Sequence, residues 1–233
     1  MITIRKSNER GKTITEWLTS YHSFSFNHYD DPAHVNFGPL VVLNDDIIKP
    51  GTGFGTHPHE NMEIVTYVLE GALEHKDSTG KREVLRAGEV GRMSAGTGIV
   101  HSEYNHSKSE PVHFLQVWFV PKQENMIPSH EQKNFSLDQR LNVWLPIASD
   151  NASLGGTVIN SYAAMYISRL EQGHNLSYDF LSGCSAYFFV ADGVISLNGK
   201  ILGKGDSASV SHETHTDISS SQDSEIVLFD VTL

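Results

Sequence analysis

The same short pattern occurs twice along the chain. Val68–Ala72 (VLEGA) and Val190–Val194 (VADGV) are each followed by a Gly-Lys turn, at Gly80-Lys81 and Gly199-Lys200. Each copy then reaches glycine plus an acid, at Gly88-Glu89 and Gly205-Asp206. Strand, turn, strand and Gly-acid turn in that order describe a β-meander, and its repetition predicts two similar units. Helical periodicity is scarce. Leu40–Leu43, Ile64–Leu69, His113–Val120, Ala186–Ala191 and Glu225–Val231 are short and apolar or alternating, which is strand patterning. Ser78-Thr-Gly80, Asn198-Gly199 and Lys204-Gly-Asp206 supply turns, and Asn-Gly is the strongest hairpin signal of the three. Thr13–Ser20 (TITEWLTS) reads as a short helix or turn. The expected fold is all-β, with two similar barrels.

Pro121–Arg140 breaks the pattern, being polar with two prolines and few apolar anchors. Such a stretch reads as a linker. The expected division is a barrel over residues 1–125, a linker over 126–140 and a second barrel over 141–233.

Composition narrows the function classes. Seventeen Lys and Arg against 28 Asp and Glu give a formal net charge of −11, and no basic patch stands out. A phosphate backbone is repelled by such a field, so direct nucleic-acid binding is not expected. No apolar run is long enough to span a bilayer, so no membrane partner is expected either. The N-terminal MITIRKSNERGK lacks the apolar segment of a signal peptide. A single cysteine, Cys184, excludes an internal disulfide framework and fits a reducing compartment. A cytoplasmic protein is expected. The unusual feature is thirteen histidines, nine of them before residue 118.

Two clusters in the first half concentrate metal-ligand chemistry. The first runs from Gly51 to Glu63 and holds His57-Pro-His59. The second runs from Met93 to Glu103 and holds His101-Ser-Glu103. Residues two apart on a strand point to the same face, so each pair can project into one cavity. His57, His59, His101 and Glu103 thus offer four ligands to one point. Imidazole suits iron, copper, nickel and zinc, and a carboxylate adds hardness and negative charge. Four protein ligands leave positions open on a five- or six-coordinate ion, as a catalytic site requires. Glu63 lies near the first pair and reads as a fifth ligand, a residue that orients a histidine, or a general base. The last two are favoured. Phe54 and Met93 flank the clusters and are candidates for lining an aromatic pocket. His22, His28, His34, His75, His106 and His113 lie outside the paired spacing and read as packed or surface residues.

The repeat provides an internal control. Positions in the second copy that align with His57, His59 and Glu63 hold Asp179, Leu181 and Ser185. Those aligned with His101 and Glu103 hold Ile218 and Ser220. The ligand set belongs to one half only.

The clusters resemble the two motifs of the cupin superfamily, G-x5-H-x-H-x3/4-E-x6-G and G-x5-P-x-G-x2-H-x3-N. Gly51, His57, His59 and Glu63 fit the first, with Gly71 one residue late. Gly88, Gly96, His101 and Asn105 fit the second, with Ser94 in place of proline and two extra residues between Gly96 and His101. These departures are similar to those of the pirin family. HPHENMEIVTYVLEG, SAGTGIVHSEYN, and upstream HSFSFNHYDDP and NDDIIKPGTGFG carry the resemblance. It is dense in the first half and loose in the second.

The resemblance implies a bicupin of two packed β-sandwich barrels. It implies one divalent metal, commonly Fe(II), in the first barrel, with Cu, Ni, Mn, Co or Zn also accepted. It selects Glu103 over Glu63 as the carboxylate ligand beside His57, His59 and His101. Bacterial members are associated with quercetin 2,3-dioxygenase activity, so a flavonol and dioxygen are the expected substrates. Glu103 or Glu63 would then take the 3-hydroxyl proton. The nuclear mammalian member is associated with transcriptional co-regulation. The alternative reading is therefore a non-catalytic metal- or redox-sensing protein that binds a regulatory partner.

Overall fold

Period-two alternation becomes paired antiparallel strands along almost the whole chain. The computed structural model describes residues 1–181 and 183–232. Its contacts divide into two compact units. One consists of Gly11–Phe135 with Thr157–Tyr162. The other consists of Met1–Arg10, Ser136–Gly156 and the chain from Ala163 onward. No helix among the described residues is long and apolar enough to cross a membrane. The fold is all-β, of the bicupin kind that the resemblance implies.

The first unit is built of two sheets. The larger runs, in hydrogen-bonding order, Ser129–Asn134, Glu89–Ser94, Glu63–Glu70, Val112–Phe119, Leu40–Ile48, Leu18–His22 and Gly11–Ile14. The smaller runs Gly53–His59, Ile99–Asn105, Ala72–Asp77 and Arg82–Arg86. Leu18, Ile48, Val68, Leu73, Leu85, Val112 and Phe114 form one apolar cluster inside it. Ile64, Met93, Ala95 and Ile99 form another. Burying side chains of this size stabilises by about 1.5–3 kcal/mol each, which closes the barrel around whatever polar groups lie between the clusters.

The second unit repeats the plan. Ile2–Arg5, Ser207–Val210, Cys184–Asp192, Ser224–Thr232, Ala163–Leu170 and Leu145–Ser149 lie side by side in a large sheet. Asn175–Asp179, His215–Ser220, Val194–Leu197 and Lys200–Gly203 form a small one. Its interior is apolar, with Phe188, Val190, Ile195, Leu197, Ile218 and Leu228 in one buried cluster. Ile218, which aligns with His101 in the repeat, is thus a core residue.

Three local expectations are corrected. Thr13–Ser20 is neither helix nor turn throughout. It is split between strands Gly11–Ile14 and Leu18–His22, which pair with each other. Thr15 closes the hairpin, its Oγ1 accepting from Leu18 N at 3.1 Å. The alternation of Leu18, Ser20 and His22 as inward residues already has period two, which the intervening polar residues hide. The segment 126–140 is not a linker throughout. Ser129–Asn134 pairs along its length with Glu89–Ser94, and Leu137–Arg140 forms one helical turn. Main-chain hydrogen bonds at a sheet edge need no apolar side chains, so a polar stretch can serve. The division also departs from 1–125 and 141–233 at the N-terminus. Ile2–Arg5 pairs with Ser207–Val210 and so belongs to the second unit.

Gly53 shows how tightly the small sheet is closed. A Cβ built there would lie 2.2 Å from the Glu103 carbonyl oxygen and 2.5 Å from Tyr104 Cα. Both are backbone atoms and cannot swing aside. Gly53→Ala is expected to cost about 1–3 kcal/mol through overpacking. Thermal unfolding measures this as a lowered Tm, and an unchanged Tm would contradict the close approach.

Candidate metal centre

The antiparallel pairing of Gly53–His59 with Ile99–Asn105 builds the site. His57 lies directly across from His101, and His59 across from Ile99. The register then slips between His101 and Glu103, so that Glu103 faces Phe54. On its other edge the strand places His101 beside Asp77 and Glu103 beside His75. The two histidine-bearing clusters are therefore adjacent strands of one sheet. Their side chains share its inner face by the parity of the pleat.

The rings converge. Centroids of His57 and His101 are 4.4 Å apart, those of His57 and His59 4.9 Å, and those of His59 and His101 4.9 Å. Ligand-type atoms of His57, His59 and His101 all lie within 4.8 Å of one another. Glu103 falls into a second such group, with His75 and His101. The four residues read from the sequence thus fall into two overlapping groups that share His101. Regular pairing places Glu103 beside His75, and Gln116 Nε2 donates to its Oε2 at 2.9 Å. Thr66 Oγ1 in turn donates to Gln116 Oε1 at 3.1 Å.

The protonation chemistry suits a cation. His57 Nδ1–H donates to the Gly55 carbonyl at 2.8 Å, which leaves the Nε2 lone pair for a ligand. His101 Nδ1 lies 3.4 Å from His75 Nδ1, and His75 Nε2 lies 3.0 Å from Asp77 Oδ2. With His75 Nε2 donating to Asp77, His75 Nδ1 accepts from His101 Nδ1–H. His101 Nε2 then carries its lone pair inward. That atom is buried and has no hydrogen-bond partner among the described residues. Burial, with His57 and His59 nearby, holds His101 down to about 2. Burial, with His57 beside it, holds His59 down to about 4. Both imidazoles are therefore neutral near pH 7, the form that binds metal. Burial pushes the Glu103 carboxyl above its ordinary range, against His75 and Gln116. Neutral imidazoles, an orphaned buried nitrogen and a carboxylate make a donor set that fits a first-row divalent ion.

The histidines open onto a cavity of about 380 Å³. One part of its wall is aromatic. Trp17 meets Phe54 edge-on at 5.2 Å, and Trp118 meets Phe26 at 5.5 Å and His59 at 4.8 Å. Another part is polar, with His22, Asn44, Asp46 and Gln116. His22 Nδ1 hydrogen bonds with Asn44 Oδ1 at 2.8 Å and its Nε2 with Thr13 Oγ1 at 2.8 Å. A volume above 300 Å³ with an apolar wall and a few directed polar groups is typical of a small-molecule site.

Phe54 lines this cavity. Met93 does not. It is buried beside a smaller internal space shared with His75, His101 and His130. Glu63 lines neither space. Ile64 and Thr66 on its strand face the site, and parity turns Glu63 to the opposite face. Its Oε2 there accepts from Ser94 Oγ at 2.8 Å and Asn160 N at 3.2 Å. Burial raises the Glu63 carboxyl, and these hydrogen bonds restrain the rise. Its surroundings are those of a brace within the unit, not of a base or ligand.

Four further groups stand at or beside the site, outside the paired spacing of the two clusters. His75 and Asp77 stand two apart on one strand, the same signal that singled out His57 and His59. His130 stacks on His75 at 4.6 Å, with its Nδ1 2.8 Å from Glu83 Oε2 but outside hydrogen-bonding alignment. It comes from the edge strand read as linker, so no local signal marked it. His22, read as packed or surface, is buried and lines the cavity.

The relatives of this chain agree with its architecture. The family model described as Pirin matches residues 3–119, and that of the quercetinase C-terminal cupin domain matches residues 146–231. A quercetin 2,3-dioxygenase of Escherichia coli (strain K12) is 40% identical over 99% of both chains. The crystal structure of the bacterial pirin YhhW from Escherichia coli in complex with nickel(II) superposes with a TM-score of 0.94 at 39% identity. That match covers 100% of this chain and 99% of that one. A quercetin 2,3-dioxygenase from Acinetobacter baumannii shares the fold at 20% identity, with a TM-score of 0.81 over 99% of this chain and 85% of that one. By sequence and by fold, the chain belongs to the pirin family.

Proposed function

We propose that this chain is a cytoplasmic, metal-dependent dioxygenase that opens the ring of a flavonol such as quercetin, with His57, His59, His101 and Glu103 as metal ligands. The observation that carries the reading is the buried, unpartnered Nε2 of His101, set among the imidazoles of His57 and His59 at an aromatic-walled cavity. The activity named for the Escherichia coli relative and the nickel(II) complex of YhhW support it. Fe(II) is the ion we assign in the cell. The same donors accept Cu, Ni, Mn, Co or Zn, and relative affinity favours several of these over iron in vitro.

Bound at these residues, the ion would supply Lewis-acid polarisation of a substrate oxygen. The chain does the rest. His57 is oriented by the Gly55 carbonyl, and His101 by His75 and Asp77. Trp17, Phe54 and Trp118 present an apolar wall to the flat rings of the substrate and exclude water from the reacting face. Glu103, held by Gln116, would receive the 3-hydroxyl proton at its carboxylate once released from the ion. Dioxygen then enters a flavonolate already held in place, and ring opening proceeds with loss of carbon monoxide.

Elemental analysis of the purified protein, with oxygen consumption on quercetin for each reconstituted metal form, tests the reading. Metal-loaded protein that neither binds quercetin nor consumes oxygen with it would overturn the assignment. His57→Ala and His101→Ala are expected to lose metal and turnover while keeping the wild-type circular dichroism. Glu103→Gln should lower kcat by about 100-fold or more, the usual contribution of a positioned base. Glu63→Gln should retain turnover within about threefold, because a brace keeps its shape and hydrogen-bonding capacity. His75→Phe should weaken nickel(II) binding by about 10- to 100-fold, read by calorimetric titration, as expected for removal of a group that orients a ligand.

A further inference from the structure

The cavity contains one buried oxygen that neither the fold nor the metal chemistry uses. Asp46 is 2% exposed and lines the cavity that also receives His57, His59 and His101. It sits on the inner face of Leu40–Ile48, between Ser20 on one neighbouring strand and Phe114 on the other. Ser20 hydrogen bonds the carboxyl. Phe114 is fully buried and offers no polar atom. Asp46 Oδ1 has no hydrogen-bond partner among the described residues. A buried carboxyl oxygen without a partner destabilises a fold, and such groups persist where a ligand supplies the partner.

We propose that Asp46 is the specificity-determining group of this cavity, and that it receives a hydroxyl of an aromatic substrate that carries a second oxygen toward the histidines. The inference rests on the reading that this cavity takes the aromatic substrate. The chemistry singles out a hydroxyl. Burial raises the Asp46 carboxyl, a bond from Ser20 restrains the rise, and Asp45 and Glu103 add to it. A hydroxyl donates to the carboxylate and accepts from the acid, and so satisfies Oδ1 in either form. A carbonyl or ether oxygen satisfies only the acid, and a hydrogen satisfies neither. The aromatic wall formed by Trp17, Phe54 and Trp118 holds any flat ring of suitable size. Asp46 distinguishes among such rings by where they carry a hydroxyl. A site built to bond a hydroxyl rejects the analogue that lacks it far more strongly than an apolar pocket rejects a missing methylene.

The test uses the nickel(II)-loaded full chain as wild type, Asp46→Leu and Asp46→Asn. The probes are quercetin and analogues that each lack one hydroxyl, including the 3-deoxy compound. Binding is read by quenching of the tryptophans, and metal content is verified for each variant. Asp46→Leu is expected to weaken quercetin binding by about 10- to 100-fold, the range for a hydrogen bond to a charged or buried group. One analogue, lacking the hydroxyl that meets Asp46, should bind wild type weakly and lose less than about twofold on Asp46→Leu. Asp46→Asn keeps an oxygen and a donor at the same place and should recover most of the quercetin affinity. Unchanged affinity in Asp46→Leu, or an equal loss for every analogue, overturns the proposal. So does an Asp46→Asn variant no better than Asp46→Leu. Oxygen consumption separates this from the reading on which it rests. Wild-type turnover with no dependence on Asp46 sinks the inference and leaves the dioxygenase standing. Asp46-dependent binding without oxygen consumption in any metal form does the reverse. Failure of wild type to bind any of the hydroxylated rings sinks both.

Discussion

The centre depends on one register. His57 stands opposite His101 because Gly53–His59 and Ile99–Asn105 pair in one antiparallel alignment. A slip of one residue would send the histidines of one strand to the other face. The alignment is pinned from both sides. Gly53 admits the Glu103 backbone where no side chain fits, and Ala72–Asp77 holds the other edge of the same strand. The unbroken pairing with Ala72–Asp77 then sets where the carboxylate falls, with Glu103 across from His75 and bonded by Gln116 while His101 lies among the imidazoles.

Polar groups inside an apolar barrel have to be partnered, and the first unit partners them through cross-strand rows. Gln116 and Asn44 are opposite one another, as are Asn44 and His22, and Gln116 and Thr66. Those alignments place the hydrogen bonds from Thr66 through Gln116 to Glu103, and between His22 and Asn44. What this network leaves open is informative. His101 Nε2 and Asp46 Oδ1 are both buried, both at the same cavity and both without a partner among the described residues. We assign a cation to the first and a substrate hydroxyl to the second.

The second unit shows the same plan without the chemistry. Where the first unit has His101, the repeat has Ile218, buried among Leu197, Ile195 and Phe188. Asp179, aligned with His57, pairs with His215 at an exposed position. Among the described residues of this unit no histidine is buried, and its buried cluster is hydrocarbon. The contrast assigns the inward histidines of the first unit to function, because the fold is achieved without them.

The sequence by itself determined the all-β architecture, the duplication and the histidine pairs, because strand parity and turn chemistry are local. HPH and HSE each state a shared face, and the empty copies at Asp179, Leu181, Ile218 and Ser220 state which half carries the site. Tertiary structure alone decided the rest. Local spacing could not say that Glu63 faces away from the cavity while Ile64 faces it, since both are buried. It could not bring His130 behind His75 from a polar edge strand, or set Glu103 across from His75. Nor could it reveal Asp46, whose meaning lies in Ser20 and Phe114, one on each neighbouring strand, and in the oxygen they leave unpaired between them. The set of His57, His59, His101 and Glu103 was legible as residue types in a pattern. Its geometry follows from strand register, which long-range pairing sets and short-range sequence does not.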